Sequence, residues 1–354
     1  MGGFRFTELL MTENKAIGMA CALGAVVLVL MIIVIRPFSR FEEQYPMADA
    51  SGVSGGAASG TSVSAGALSP LGDGSGATGD PSGAASDGAS GATQASDSAT
   101  GIPLVHASGN TLETRVDVPA GFTRTAEDNN SLGTFLRTYK LKKDGSPVHL
   151  YNKELKSDQN AHVAVFKLPI EKEDLQQCAD SVMRVYAEYF RATDQAGRIN
   201  FSLTDSFKAS YQRWRNGERI IESGDSFEYA DRAEFDGSDA VFKKFMRIVF
   251  AYAGTYSLET DSKKIKKLSS IRIGDIFLHA GSPGHVVMVV DTCEDSSGRK
   301  AFLLAQGYMP AQQFHLLKNP AHEDDPWYYV DEVSFPFKTP EYTFDKMCLR
   351  RPTY

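Results

Sequence analysis

The sequence predicts an α+β domain with an antiparallel sheet in residues 102–354. Two segments of this region repeat apolar residues at intervals of three and four, the spacing of one face of an α-helix. Short runs of β-branched and aromatic residues follow the second segment, with turn residues between them. This order, helices first and then strands joined by short turns, is typical of a layer of helices packed on an antiparallel sheet.

The elements of this domain can be placed along the chain. Helices are expected at residues 171–192 and 238–252, and Ser238 is a suitable N-cap for the second helix. The expected strands, all rich in apolar side chains, are residues 163–166, 276–278, 286–290 and 300–305.

The chain before this domain divides into three parts by composition. Residues 1–15 form a short tail, and residues 16–35 form an uncharged apolar run that as a helix would span roughly 30 Å, the thickness of a bilayer core. A cleaved signal peptide explains this run less well than a membrane-spanning helix, because the run is too long and no small-residue cleavage site follows it. Residues 36–101 form a linker dominated by Gly, Ala and Ser, which we expect to be disordered.

Charge and cysteine content exclude some classes of protein. The net charge of −7 argues against a chain built to bind nucleic acid, and four cysteines are too few for a disulfide scaffold. Basic residues are equally frequent on the two sides of the apolar run, so they do not set its orientation. The commoner arrangement is a single-pass membrane protein whose folded domain lies on the extracytoplasmic side.

The segment GDIFLHAGSPGHVVMVVD, residues 274–291, carries the clearest chemical signal. A tight turn at residues 281–284 brings His285 to the start of an apolar strand, and the next strand ends at Gln306. If the hairpin between them folds about its middle, these two residues face each other. The amide oxygen of Gln306 could then accept the imidazole N–H and fix the tautomer of His285.

Papain-like cysteine peptidases and amidases hold their histidine base in this way. GDIFLHAGSPGHVVMVV resembles the Gly-Asp…His-Val segment of the NlpC/P60 cell-wall hydrolases, in which a nucleophilic cysteine begins a preceding helix. The matching place here is FDGSDAVF, which has Gly237 and Ser238 and no thiol. Serine is a poor substitute in a cysteine-type site, so this resemblance implies a papain-like fold more than an activity.

A closer resemblance runs from about Thr111 to Phe344. The bacterial domain-of-unknown-function family 4846 is similar in a series of ordered motifs, TLETRVDVPAGF, SLGTFLRTYKL, LQQCADSVMRVYAEYF, GDIFLHAGSPGHVVMVVD, FLLAQGYMPAQQFHLL and PWYY. The resemblance implies membership of that family and no assigned reaction. His279 departs from the family pattern, which is expected to have an uncharged polar residue there.

Cys178 is the candidate nucleophile of the domain. If the helix begins at residue 171, Cys178 lies about two turns into it on the apolar face, which favours a buried, unreactive thiol. If the helix begins near Gln176, after an extended EKEDL, Cys178 lies at a helix N-terminus, where thiol pKa values are lowered.

Polar and aromatic residues near these motifs are candidates for substrate binding: Ser282, Tyr308, Gln312 and Trp327. The aromatic members could form a wall for a sugar or peptide, or could pack in the core. The histidines show no recognised ligand spacing, so no metal is expected. The absence of a Gly-rich phosphate loop leaves no cofactor to predict.

Two functions from different classes fit this sequence. One is a membrane-tethered amidase or peptidase for cell-wall or peptide amides, with Cys178 as nucleophile, His285 as base and Gln306 as orienting residue. The other is a catalytically inactive papain-like module that binds an envelope glycan or protein. The expected partners are the membrane, through one N-terminal helix, and peptidoglycan or an envelope protein, with no nucleic acid.

Overall fold

The structure is a computed structural model that describes residues 103–354. The α-helices of this range are α1 (Leu112–Arg115), α2 (Leu132–Thr138), α3 (Cys178–Ala192), α4 (Tyr211–Arg215), α5 (Asp239–Tyr252) and α6 (Thr255–Thr260). The strands are β1 (Phe122–Arg124), β2 (His162–Val165), β3 (Asn200–Ser202), β4 (Lys208–Ser210), β5 (Glu218–Ser223), β6 (Ser226–Asp231), β7 (Ser262–Lys264), β8 (Ile276–His279), β9 (His285–Asp295), β10 (Lys300–Gln306), β11 (His315–Leu317), β12 (Tyr328–Tyr329), β13 (Phe337–Lys338), β14 (Thr343–Phe344) and β15 (Leu349–Pro352).

An antiparallel sheet forms the centre of these residues. Its strand order is β2-β11-β10-β9-β8-β15-β7, and β1 and β12 pair with β9 and β10. Three separate two-stranded hairpins, β3–β4, β5–β6 and β13–β14, lie outside this sheet. The predicted class, helices combined with an antiparallel sheet, is confirmed.

The core surrounds β9, which is buried on both faces. On one face, Val287 and Val289 pack with Phe302 and Leu304 of β10. Helix α3 contacts β9 and β10. A strand covered on both sides has no need of polar residues at alternate positions, which explains the uninterrupted apolar run VVMVV.

Helix α3 begins at Cys178 and not at residue 171, which corrects the longer helix predicted from periodicity. Arg247 of α5 forms ion pairs with Glu171 and Glu173 at 2.9 and 2.8 Å, and so ties the acidic segment to a different helix. The structure therefore has the second of the two predicted starts, in which EKEDL is not helical and the helix begins after it.

The first turn of α3 has its own start signal. The N–H of the N-cap residue Gln177 donates to Asp180 Oδ2 at 3.0 Å, which satisfies a donor that the helix leaves free. Asp174, three residues before the cap, accepts the backbone N–H of Ala311 at 2.6 Å. These contacts fix both the position at which α3 begins and the loop that follows β10.

The other predicted elements are present with small changes. Ser238 is the N-cap of α5, and its Oγ accepts the N–H of Val241 at 3.3 Å. Strand β9 continues past the predicted residue 290 to Asp295.

No helix within residues 103–354 is long and apolar enough to cross a bilayer. The predicted tail, membrane span and linker, residues 1–15, 16–35 and 36–101, lie outside the described residues.

Candidate functional site

Cys178 is the first residue of α3, and its side chain is almost fully buried, with 4% of the residue exposed. Burial, followed by the nearby Asp180, raises the pKa of the Cys178 thiol to about 12. Hydrogen bonds from the backbone N–H groups of Ala179, Val286 and Cys178 itself act in the opposite direction. Since Val286 follows His285 in β9, the sulfur lies against the backbone at the start of this strand.

His285 and Gln306 meet through their side chains, with Nε2 and Oε1 2.8 Å apart. The strand register differs from the predicted one, because Ala305 pairs with Met288 and the two residues are not directly opposite. A shift in register between Leu303 and Leu304 explains how they still meet. Without this bulge, Gln306 would point to the other face of the sheet, since successive strand residues alternate in direction.

The amide of Gln306 has a defined orientation. Its Nε2 donates to Glu341 Oε2 at 2.8 Å, so its oxygen is the atom that faces His285. The Nε2 atom of His285 must therefore carry the ring hydrogen, and this assignment leaves Nδ1 as the unprotonated nitrogen. Burial lowers the pKa of His285 to about 4, so the ring is neutral at pH 7. A neutral imidazole with a free Nδ1 can act as a base.

Glu341 was missed by the sequence analysis. It lies between β13 and β14, where its Oε1 is 2.5 Å from Lys156 Nζ and its Oε2 is 3.7 Å from His315 Nε2. Burial alone would raise the pKa of Glu341, but the neighbouring His315 and Lys156 hold this pKa below its usual value. The carboxylate is therefore ionised at neutral pH and held from two sides.

Two tyrosines cover the imidazole of His285. The ring centroids of Tyr308 and Tyr342 lie 4.6 and 4.8 Å from that of His285. Burial raises the pKa of both phenols, and the Cys178 sulfur is close enough to add to this effect. His285 and Gln306 are only 2% and 1% exposed, whereas the two tyrosines are partly exposed, so a substrate has to displace part of this cover to reach the histidine.

The remaining candidate residues lie in different surroundings. Ser282 is exposed in the turn before His285. Gln312 is 2% exposed, and its Oε1 has no hydrogen-bond partner among the described residues. Gln312 belongs to the loop after β10. The hydrogen bond from Ala311 to Asp174 holds this loop against the start of α3. Tyr308 is thus the candidate substrate-binding residue that lies directly on the histidine.

Trp327 is fully buried, and its indole N–H donates to the carbonyl oxygen of Asp117 at 2.8 Å. Its neighbour Tyr328 pairs with Phe302, near the opposite end of β10 from Gln306. This finding corrects the expectation that Trp327 forms a wall of the substrate site, since it packs in the core instead.

Within the described residues, no group of three or more His, Cys, Asp or Glu side chains could hold a metal ion. A cavity of about 180 Å³ lies beside the closed site and is lined by His279, Asp345, Lys346 and Arg350, among others. His279 pairs with His285 across β8 and β9, and its ring lies 6.2 Å from that of Tyr342. Tyr342 is therefore close both to His279, which lines this cavity, and to His285.

Asp180 offers a test of how strongly the start of α3 is buried. Burial raises the pKa of Asp180 well above its usual value, so the folded chain keeps this proton at pH values where the unfolded chain loses it. Stability from this residue is then lost as pH rises above the unfolded pKa. We expect the stabilising effect of Asp180→Asn to grow from pH 5 to pH 7 by up to about 1.4 kcal/mol per pH unit.

Urea unfolding of the full chain at the two pH values measures this effect. Asp324→Asn is the matched control, because Asp324 is exposed and its substitution should have the same small effect at both values. An effect of Asp180→Asn that does not change with pH would show that this carboxyl is ionised in the folded chain.

Comparison with known proteins gives a family match. The model of the family described as "Domain of unknown function (4846)" matches residues 112–351, which include every residue of the site. No curated protein and no solved structure matches the chain.

Proposed function

The chain belongs to the family described as domain of unknown function 4846, and within this family we propose that it is a cysteine-dependent amidase or peptidase. Its core would then be papain-like and related to the NlpC/P60 hydrolases. One observation supports this proposal most. A thiol at the start of a long helix contacts the backbone N–H of Val286, the residue after a histidine whose hydrogen-bond partner leaves Nδ1 unprotonated.

The proposed reaction uses these groups in order. The Cys178 sulfur attacks the carbonyl carbon of an amide while His285 Nδ1 takes the thiol proton. The backbone N–H groups of Cys178 and Ala179, which contact the sulfur in the resting chain, would turn to the developing oxyanion and stabilise it. His285 then gives the proton to the leaving amine, and the C–N bond breaks to leave a thioester on Cys178. Water, deprotonated by His285, attacks the thioester, and this step releases the carboxylic acid and returns the proton to the thiol.

The resting pair is neutral in this proposal. The pKa of Cys178 is raised to about 12 and the pKa of His285 is lowered to about 4, so a thiol and an imidazole coexist at pH 7. The proton therefore moves as the sulfur attacks, after a substrate has displaced the cover formed by Tyr308 and Tyr342. An enzyme of this kind is inactive until its substrate enters.

The place of action follows from the N-terminal sequence. We propose that residues 16–35 anchor the chain in a membrane, that residues 36–101 act as a tether, and that the folded domain acts on cell-wall or peptide amides outside the cytoplasm. If this is right, the full chain sediments with membranes and a fragment that begins at Gly101 does not.

A second function has its own support. Cys178 and His285 are both buried, and their pKa shifts favour the neutral thiol and the neutral imidazole. An inactive module would have the same two properties. Such a module would bind an envelope glycan or protein on the same surface and would not cleave it.

An assay of amide cleavage separates the two functions. The full chain in detergent is incubated with purified peptidoglycan and with a mixture of N-acetylated peptides, and new primary amines are measured over time. Amines that appear with the natural chain and not with Cys178→Ala support the hydrolase. Peptidoglycan that is bound and remains intact would support the binding module.

A further inference from the structure

We propose that Glu341 is a positioning residue that sets the tautomer of His285 through the amide of Gln306. This inference rests on the proposed hydrolase function, since it concerns the histidine that would act as base. Glu341 does not touch the sulfur or the histidine ring by hydrogen bonds in the described residues. Its charge also favours the protonated form of His285, but its contact with the site is the hydrogen bond to Gln306, made from the tip between β13 and β14.

The carboxylate selects one of two orientations of the amide. With Nε2 of Gln306 towards Glu341, the amide oxygen faces His285 and accepts its Nε2–H. The reversed amide would put its oxygen against the carboxylate, which is repulsive, and its NH₂ group against His285. His285 would then have to accept at Nε2 and carry its hydrogen on Nδ1, where it could not take a proton from a thiol.

His315 is a poorer acceptor for the Gln306 amide than Glu341. The Nδ1 atom of His315 lies 2.8 Å from the carbonyl oxygen of Gln313 and donates to it, so a neutral His315 could accept from Gln306 only at Nε2. That contact is 3.4 Å long, against 2.8 Å for the charged acceptor Glu341. A protonated His315 has no acceptor nitrogen at all, so the carboxylate then remains the acceptor for Gln306.

The position of Glu341 is itself fixed. Lys156 holds its other oxygen at 2.5 Å, and the side chains of Lys156 and Glu341 are only 7% and 14% exposed. A paired carboxylate with little solvent access keeps its geometry better than a surface ion pair does. The residue that follows, Tyr342, covers the ring of His285. One short connection therefore both orients and shields the base.

Nitrogen NMR of the histidine rings tests this role without any substrate. The full chain is labelled with ¹⁵N-histidine in its natural form and as Glu341→Ala, and His285→Asn assigns the signals of His285. We expect the natural chain to have its ring hydrogen on Nε2 and Glu341→Ala to show a population with the hydrogen on Nδ1. The rate at which iodoacetamide modifies Cys178 should fall by about tenfold, at the low end of what losing a histidine-orienting partner costs elsewhere.

Two further variants separate positioning from a structural role. Glu341→Gln keeps an oxygen that can accept from Gln306, so it should retain the Nε2–H form. If Glu341→Ala does not fold, it is replaced by Glu341→Leu, which fills the space without an acceptor and should show the population with the hydrogen on Nδ1. Glu332→Ala removes another carboxylate that contacts a histidine, His322 at 2.6 Å, and should leave the His285 signals unchanged.

The outcomes for Glu341 and for the hydrolase are distinct. An unchanged tautomer of His285 in folded Glu341→Ala overturns the role of Glu341, whatever the activity. A changed tautomer in a chain that cleaves no amide supports the role of Glu341 and counts against the hydrolase.

Discussion

Replacing Cys178 with alanine is expected to lower the rate of amide hydrolysis by at least about 10³-fold, because it removes the nucleophile. Cys293→Ala and Cys348→Ala are matched controls, since the three cysteines within residues 103–354 are all free and buried. Burial raises the pKa of Cys293 and of Cys348 as it does for Cys178. The difference lies in the surroundings, because Cys178 alone among them begins a helix, and its sulfur contacts the backbone of Val286, next to His285 in the chain.

The release of amines from peptidoglycan and from N-acetylated peptides measures this effect for each variant. Cys293→Ala and Cys348→Ala should keep the natural rate if they remain folded. Equal activity in Cys178→Ala and the natural chain would show that any hydrolysis comes from another group or from a contaminant.

Replacing His285 with glutamine is expected to have the second largest effect. Loss of a general base lowers rates by roughly 10²- to 10⁴-fold. In the natural chain, the pKa of about 4 means that His285 remains a base down to mildly acidic pH. Hydrolysis should therefore fall only as pH drops through about 4, unlike that of an enzyme whose histidine has its usual pKa of 6.5.

The same shift predicts how stability depends on pH. The pKa of folded His285 lies below that of the unfolded chain, so between pH 6.5 and about 4 the unfolded chain binds more protons. Stability from this residue is present above pH 6.5 and falls as pH decreases, by about 3 kcal/mol over the whole interval. Urea unfolding at pH 7 and pH 4.5 should show a smaller decrease in His285→Gln than in the natural chain.

His322→Gln is the control for this measurement, because His322 is partly exposed and pairs with Glu332 at the surface. It should leave the decrease in stability close to that of the natural chain. If His285→Gln and the natural chain lost stability equally between the two pH values, the histidine would not be held neutral by burial.

The sequence predicted the central strands and α5, because long apolar runs and a serine N-cap are local signals. It misplaced the start of α3, since periodicity cannot register that Arg247, far along the chain, pairs with Glu171 and Glu173. The alternative start after EKEDL was visible, and the contact between Gln177 and Asp180 explains why it is the one observed.

The candidate site was predicted only in part. His285 and Gln306 come from one hairpin, so turn residues and strand length brought them together, although the bulge between Leu303 and Leu304 could not be foreseen. Glu341 and Tyr342 reach the site from a separate hairpin, and no local pattern connects them with His285. Contacts between distant segments depend on the packing of the whole domain, which a single sequence does not specify.

The alkylation of Cys178 in the native chain tests the proposed site most directly. The full chain in detergent is treated with iodoacetamide, a small uncharged amide, at pH 7, and the modified cysteines are identified by mass spectrometry. We expect modification of Cys178 at least about tenfold faster than of Cys293 and Cys348, and we expect the difference to disappear in His285→Gln, which lacks the base. Modification of Cys178 only after unfolding, at the same rate as the other two, would contradict the proposal that Cys178 and His285 form a catalytic pair.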